Sequence, residues 1–421
     1  MKKQLLSSKI NKVKQFYLTL LFSLLCIYAF AQKAYISNYG SDDISVIDIG
    51  TNTVLTTITG GDGPNGVSVT PDNSKVYVSN YYGSSVSVIS TASNTVIATV
   101  PVGPTPYGLC VSPDGTKVYV TNGGGNSVSV INTATNTVST TIPVGTTPWG
   151  VTFTPDGTKA FVTNYGTNTV SVINTATNTV TGTIIVGSSP FGVAVSPSGA
   201  FTYVTNRSSN TVSVINTATE VVVTTIPVGV GPEGIVFTPD GTMVYVANNS
   251  SSTVSVLNTS TTAVISTIIV GTNPDGVSIT PDGTAVYVAN FNSNNVSVIT
   301  TLTFAVSTTI TVGLQPAAFG NFIAMPITTA IESLNADNST LLIYPNPVID
   351  VLSFDYQFSA NTTESTVNLF NYSGMLIKTF KILVNEGKVK QDVSELASGI
   401  YFCQIVENGI VVSNHKFVIA K

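Results

Sequence analysis

The chain has 421 residues, 43% of them hydrophobic and only 9% charged, with 16 Lys and Arg against 21 Asp and Glu, a single histidine and three cysteines. A formal net charge of −5 gives nucleic acid no basic footprint to meet, and one imidazole cannot build a histidine zinc site. Only Cys110 and Cys403 lie beyond residue 31, far apart in sequence, so no disulfide framework is implied.

Lys2, Lys3, Lys9, Lys12 and Lys14 precede an apolar stretch from Phe16 to Phe30, and Ala29-Phe30-Ala31 before Gln32 puts small residues at −3 and −1. Residues 1–31 are therefore predicted to be a cleaved secretory signal peptide. A membrane anchor is the poorer reading, because the stretch is short for a span and contains Thr19 and Ser23. Cys26 stands between Leu25 and Ile27, where a lipoprotein cysteine needs small neighbours. No later segment reads as a transmembrane helix.

From residue 32 to 325 one unit is written seven times. Tyr35, Tyr77, Tyr119, Phe161, Tyr203, Tyr245 and Tyr287 are each 42 residues from the next. A fixed period near 40 without helical periodicity predicts a seven-bladed β-propeller, in an all-β chain. Within Val118 to Lys159, alternating β-branched runs at Val118 to Thr121, Ser127 to Ile131 and Thr137 to Val144, with Gly150 to Thr154, give four short strands. Ser112-Pro113-Asp114-Gly115 and its copies make a tight hairpin, with proline presetting the first turn position and glycine accepting positive φ. Asn132-Thr133-Ala134-Thr135-Asn136 and its copies form the other recurrent turn.

The chain enters the first blade at its second strand. Gln315 to Phe322 matches the inner-strand position with no strands behind it, so a strand near 318–323 is expected to complete blade 1 and close the ring. An open solenoid would instead carry polar capping repeats.

Chemistry is sparse in this region. Five cations (Lys33, Lys75, Lys117, Lys159 and Arg207) face twelve acids, for a charge of about −7, and four of those lysines recur at the repeat period as parts of the scaffold. The only histidine, His415, lies in the tail, so neither a Ser-His-Asp site nor a metal site is expected in the repeats, and no cofactor is implied. Cys110 occupies a slot filled elsewhere by Ser68, Thr152, Ala194, Val236 and Ser278, and reads as inert packing.

Near-identical units disagree at two positions, and a binding surface is expected where they do. After the repeated proline stand Asn65, Tyr107, Trp149, Phe191, Glu233, Asp275 and Ala317; after the repeated asparagine stand Tyr39, Tyr81, Gly123, Tyr165, Arg207, Asn249 and Phe291. By analogy with WD-repeat propellers both series ring one mouth of the axial channel. Tyr107, Trp149, Phe191, Tyr81 and Tyr165, with Glu233, Asp275 and Arg207, make an asymmetric ring of flat aromatics beside hydrogen-bonding acids, which suits a surface glycan or a peptide. Tolerated loop variation after repeat duplication is the competing explanation.

Residues 326–340 read as a polar linker, and residues 341–421 as a second domain of short alternating strands, compatible with a small Ig-like sandwich. Its signals are Tyr344-Pro345-Asn346-Pro347, the run from Val367 to Gly374, Asp392 through Gly399 to Tyr401, and the closing Lys416-Phe417-Val418-Ile419.

Tyr119-Val120-Thr121-Asn122, Phe161-Val162-Thr163-Asn164 and Tyr203-Val204-Thr205-Asn206, with the Pro-x-Gly elements, closely resemble the YVTN-repeat propellers of bacterial and archaeal surface-layer proteins. That resemblance covers all seven units and implies the fold, not the ligand; related propellers include lactonases and other enzymes. The tail resembles the type A C-terminal sorting domain of the type IX secretion system. It implies partners in the outer-membrane secretion machinery and its sortase, and a location secreted from, or on the outer surface of, a Gram-negative cell. The functional expectation is a surface binding or structural propeller that is not an enzyme. A lactonase- or lyase-like enzyme and a purely structural coat unit are the alternatives.

Overall fold

The computed structural model describes residues 32–324 and, beyond them, residues 340–344, 348, 350–357, 365–371, 376–382, 386–396, 399–407 and 410–419. The signal segment, the linker up to residue 339, and Pro345, Asn346, Pro347 and Gly374 lie outside the described residues.

Strands β1 (Lys33–Asn38), β2 (Asp43–Asp48) and β3 (Thr53–Thr59) form a three-stranded antiparallel sheet. Six four-stranded sheets follow, at 64–101, 106–143, 148–185, 190–227, 232–269 and 274–311. These are blades 1 to 7. Burial grades outward within each. In blade 3 the middle strand Ser127–Asn132 hides its four central residues, whereas the outer strand Thr137–Pro143 exposes alternate ones, as a half-covered strand must.

Residues 315–324 return to blade 1. Tyr35 N–H donates to Phe322 O (2.9 Å), Ala317 N–H to Ser37 O (2.9 Å) and Ala324 N–H to Lys33 O (2.8 Å), while bridges pair Ala34 with Ile323 and Asn38 with Pro316. The chain's far end thus supplies the inner edge that blade 1 lacks.

Neighbouring blades are clamped by repeated side chains. Tyr77 Oη donates to Asn136 Oδ1 of the next blade (3.0 Å) and Tyr119 Oη to Asn178 Oδ1 (2.6 Å), and the ladder crosses the closure as Tyr287 Oη to Asn52 Oδ1 (2.5 Å). It lapses at Phe161, which has no hydroxyl, at Tyr203, where Thr262 replaces the asparagine, and at Tyr245, whose buried hydroxyl has no partner because Phe304 stands in the asparagine position. The periodic lysines belong to the same clamp. Lys75 and Lys117 donate to the carbonyls of Thr133 and Thr175, at 2.6 and 2.8 Å, and Lys159 pairs with Glu220 at 2.7 Å.

Most acids of the ring are turn parts. Asp156 Oδ1 accepts from Thr154 Oγ1 (2.5 Å) and from the Thr158 amide (3.0 Å), and Gly157 closes the hairpin at φ +70. Burial raises the pKa of Asp156, but the hydrogen bonds outweigh it and hold the group below its ordinary 3.8, as they do for Asp72, Asp114, Asp240 and Asp282. The Cys110 thiol is pushed up to about 11 by burial.

In the tail, strands Thr340–Tyr344, Val351–Gln357 and Glu386–Asp392 form one sheet, and Leu376–Ile382, Ser365–Asn371, Gly399–Glu407 and Ile410–Ile419 the other. Leu352 and Phe354 from the first share a core with Val367, Leu369, Cys403 and Phe417 from the second. Of the tail's signature residues, Asp392 accepts the Ser394 amide at a turn (2.8 Å) and Tyr401 stacks on Phe417 in the core.

Candidate ligand site at the channel mouth

The inner strands start so close to the axis that they touch backbone to backbone. A Cβ on Gly108 would lie 2.3 Å from Trp149 O, which is why the Pro-x-Gly glycine recurs. The residue between proline and glycine is fixed by its own carbonyl: Thr121 Oγ1 donates to Trp149 O (2.7 Å), Thr163 Oγ1 to Phe191 O (2.6 Å) and Thr205 Oγ1 to Glu233 O (2.8 Å). With the backbone held from the preceding blade, the side chain at this position can change without disturbing the scaffold.

The structure brings both variable series together and differs from the expectation in how open they are. Tyr107 and Phe191 are buried, packed on each other at 5.5 Å and on Phe319 of the closing segment at 5.6 and 5.4 Å. They plug the channel instead of offering flat faces. Trp149 remains half-buried above them, 3.9 Å from the Tyr107 ring centre and stacked on Phe191 at 5.0 Å, with Tyr81 and Tyr165 at the flanks. Phe319 went unnoticed in the sequence because the closing segment abandons the repeat. Ala318 at φ +46 takes the slot of the repeated glycine, and Gly320 follows at φ +119.

The acids also differ from the expectation of an exposed pair across the mouth. Glu233 is 5% exposed and Asp275 4%. Arg207 Nε donates to Glu233 Oε1 at 2.6 Å, and Asp275 and Glu233 are hydrogen-bonded to each other. Burial drives the Glu233 carboxyl up to about 7 against the pull of Arg207, and burial with the neighbouring Glu233 charge drives Asp275 well above its ordinary value. The Tyr107 phenol adjoins this pair and the Asn65 amide. Asn65 Oδ1, Asp275 Oδ1 and Trp149 Nε1 are buried without a hydrogen-bond partner.

A stability consequence follows from these shifts. Folded Glu233 keeps a proton that the unfolded carboxyl, near 4.5, releases, so stability falls as pH rises from about 4.5 to 7 and levels above it. The turn aspartates act oppositely: their contribution is present above 3.8 and disappears as pH falls through their lower folded values. Thermal melts between pH 3 and 8 should therefore peak near pH 4 to 5, and the double variant Glu233→Gln, Asp275→Asn should flatten the neutral limb. A wild-type melting temperature that climbs steadily to pH 8 contradicts the assignment.

A gap opens in the ring at blade 3. Gly123 stands where neighbouring blades carry Tyr81 and Tyr165, and the missing side chain leaves a recess of about 250 Å³ over the edge of Trp149. Tyr81, Tyr107 and Trp149 line it together with Gly123, Gly124 and the two threonines Thr105 and Thr147. Both threonines adopt left-handed backbone, at φ +47 and +52, in a slot that Gly63 and Gly231 fill in other blades. For a β-branched residue that conformation costs roughly 1–3 kcal/mol. The only other β-branched residue so strained among the described residues is Thr262. Among the described residues, no cluster of three His, Cys, Asp or Glu could hold a metal ion.

The family profile described as "Lactonase, 7-bladed beta-propeller" matches residues 16–264, more than half of the chain, and the secretion system C-terminal sorting domain matches residues 342–420. None of the curated proteins matches the chain in sequence. Among solved structures, the hydrazine synthase of Kuenenia stuttgartiensis is similar at 25% identity over 63% of this chain and 92% of that one, with a TM-score of 0.59. A functionally unknown protein from Desulfotomaculum acetoxidans shares 20% identity over 69% and 98% of the two chains (TM-score 0.62). A provisionally assigned 6-phosphogluconolactonase of Bacteroides uniformis shares 19% over 68% and 98% (TM-score 0.60). The last two carry the fold alone. The sorting domain marks the chain for type IX export to the cell surface or the extracellular space.

Proposed function

We propose, from the premise that the chain belongs to the lactonase family of seven-bladed β-propellers, that it is a surface-displayed or released binding propeller that takes a glycan or peptide at the Gly123 recess. In this reading residues 1–31 leave as the signal peptide, 32–325 form the binding ring, and 341–421 deliver it through the type IX machinery and its sortase. The recess itself carries the reading: it is the place where an otherwise closed aromatic plug meets solvent with an indole edge and two hydroxyls. Burying one face of a ligand there gives modest affinity, since an aromatic contact adds roughly 0.5–1.5 kcal/mol beyond area burial.

Gly123→Tyr tests it. Blades 2 and 4 carry tyrosine at this position, and a Cβ on Gly123 meets Thr105 O and Oγ1 at 3.3 Å and Pro148 O at 3.7 Å, so a shift of a few tenths of an ångström at Thr105 keeps the ring folded while the recess fills. A ligand found by glycan and peptide array should shift the emission of Trp149, the sole tryptophan, and lose at least tenfold in affinity on Gly123→Tyr. Undiminished binding to that variant, and to Trp149→Ala, Phe191→Ala, moves the site elsewhere.

Family membership and the buried Glu233–Asp275 pair favour a second reading, a lactone-opening enzyme, because two coupled carboxyls with raised pKa can hold and release a proton near neutral pH. Lactones belong in the same screen; turnover that vanishes on Glu233→Gln would select that reading over binding. A coat unit that merely self-associates predicts neither ligand nor turnover.

A further inference from the structure

We infer that the recess over Trp149 is a subsite for one uncharged pyranose ring, stacked against Trp149 and Tyr81 and hydrogen-bonded at its rim by Thr105 and Thr147. The inference deepens the binding reading above and rests on it.

Three observations converge. The first is size: about 250 Å³ falls below the range of drug-sized pockets and suits a single ring better than a stretch of peptide. The second is chemistry. No charged side chain lines the recess, and Arg207, the one cation of either mouth series, is already paired with Glu233. A phosphorylated or acidic sugar would find no counter-charge in this lining. Aromatic walls with hydroxyls at the edge match the apolar face and hydroxyl rim of a neutral pyranose. Behind that wall, Asn65 Oδ1 and Asp275 Oδ1 are nine-tenths buried acceptors without a donor.

The third observation is strain. Thr147 holds an unfavourable backbone where glycine, serine, asparagine or glutamine serves in other blades, yet among the described residues its hydroxyl bonds to nothing; its amide donates to Asn126 Oδ1 at 2.9 Å and its carbonyl accepts the Tyr165 amide at 3.0 Å. Thr105 accepts the Gly124 amide at 2.5 Å, which leaves its own hydroxyl hydrogen free to donate. Two costly threonines beside this recess are explained if their hydroxyls meet a ligand.

The test titrates the full mature propeller with methyl hexopyranosides of the gluco, galacto and manno series, their 6-phosphates, and Nα-acetyl-lysine amide, reading Trp149 fluorescence. At least one neutral glycoside should saturate the signal in the millimolar range, and the 6-phosphates should not. Thr147→Gly should melt higher than the wild type yet bind that glycoside about tenfold more weakly, and Thr147→Ser should restore binding. If no neutral glycoside binds, if a 6-phosphate or the lysine amide binds more tightly, or if Thr147→Gly binds as well as the wild type, the inference is overturned. The broader reading is judged separately: an array ligand of any class blocked by Gly123→Tyr keeps the recess as the site even when every glycoside fails.

Discussion

A chain ended at Val312 melts far below one ended at Met325, or aggregates before it melts. The shortened chain loses Phe319, Phe322 and Ile323, all nearly or fully buried, with the backbone hydrogen bonds that residues 315–324 give to β1. Burying each of those side chains is worth roughly 1.5–3 kcal/mol, so together they rival the whole 5–15 kcal/mol margin of a typical domain. The inner face of β1 and the neighbouring edge of blade 2 become unpaired at the same time, a template for association between chains. Differential scanning calorimetry with light scattering compares the two chains directly. Equal melting temperatures mean that the ring does not depend on its closing strand.

Removal of residues 341–421 is expected to abolish surface display in the native host while leaving a folded propeller in the periplasm. The tail has its own core, from Leu352 and Phe354 to Phe417 and Ile419, so its loss takes no buried residue from the seven blades. Surface proteolysis of intact cells and a periplasmic fraction tested for a cooperative melt give the two readouts. Display of the shortened protein at wild-type level would remove the sorting role from the tail.

The blades were legible because a 42-residue period fixes strand, turn and glycine positions seven times over, and an error in any one unit is corrected by the other six. The closure was legible from the phase at the ends. What could not be read was depth. A variable series shows that Tyr107, Phe191, Glu233 and Asp275 face the axis, but not that the inner strands converge so tightly that these side chains bury one another. Phe319 was hidden because its segment leaves the repeat at Ala318, where no sister unit offers a comparison. Thr105 and Thr147 were missed although a signal existed. Their slot is filled by Gly63, Ser189, Gly231, Asn273 and Gln315 elsewhere, none of them β-branched, so a threonine at the positive φ of this slot is anomalous. Gly123 belongs to the second variable series, and its meaning lies in the side chain it lacks.

The closing contacts also set when the molecule can finish folding. Ala318 N–H meets Ser37 Oγ at 2.8 Å across 281 residues of chain, and Gln32 Nε2 meets Ala324 O at 3.1 Å across 292. Each blade is assembled from neighbours in sequence and can form early, but these last pairings bear the loop-closure entropy of the entire ring. During synthesis β1 must therefore wait, one edge open, until residue 324 has emerged. Ring closure is thus the pairing of longest sequence separation in the propeller and the one that waits for its last residues.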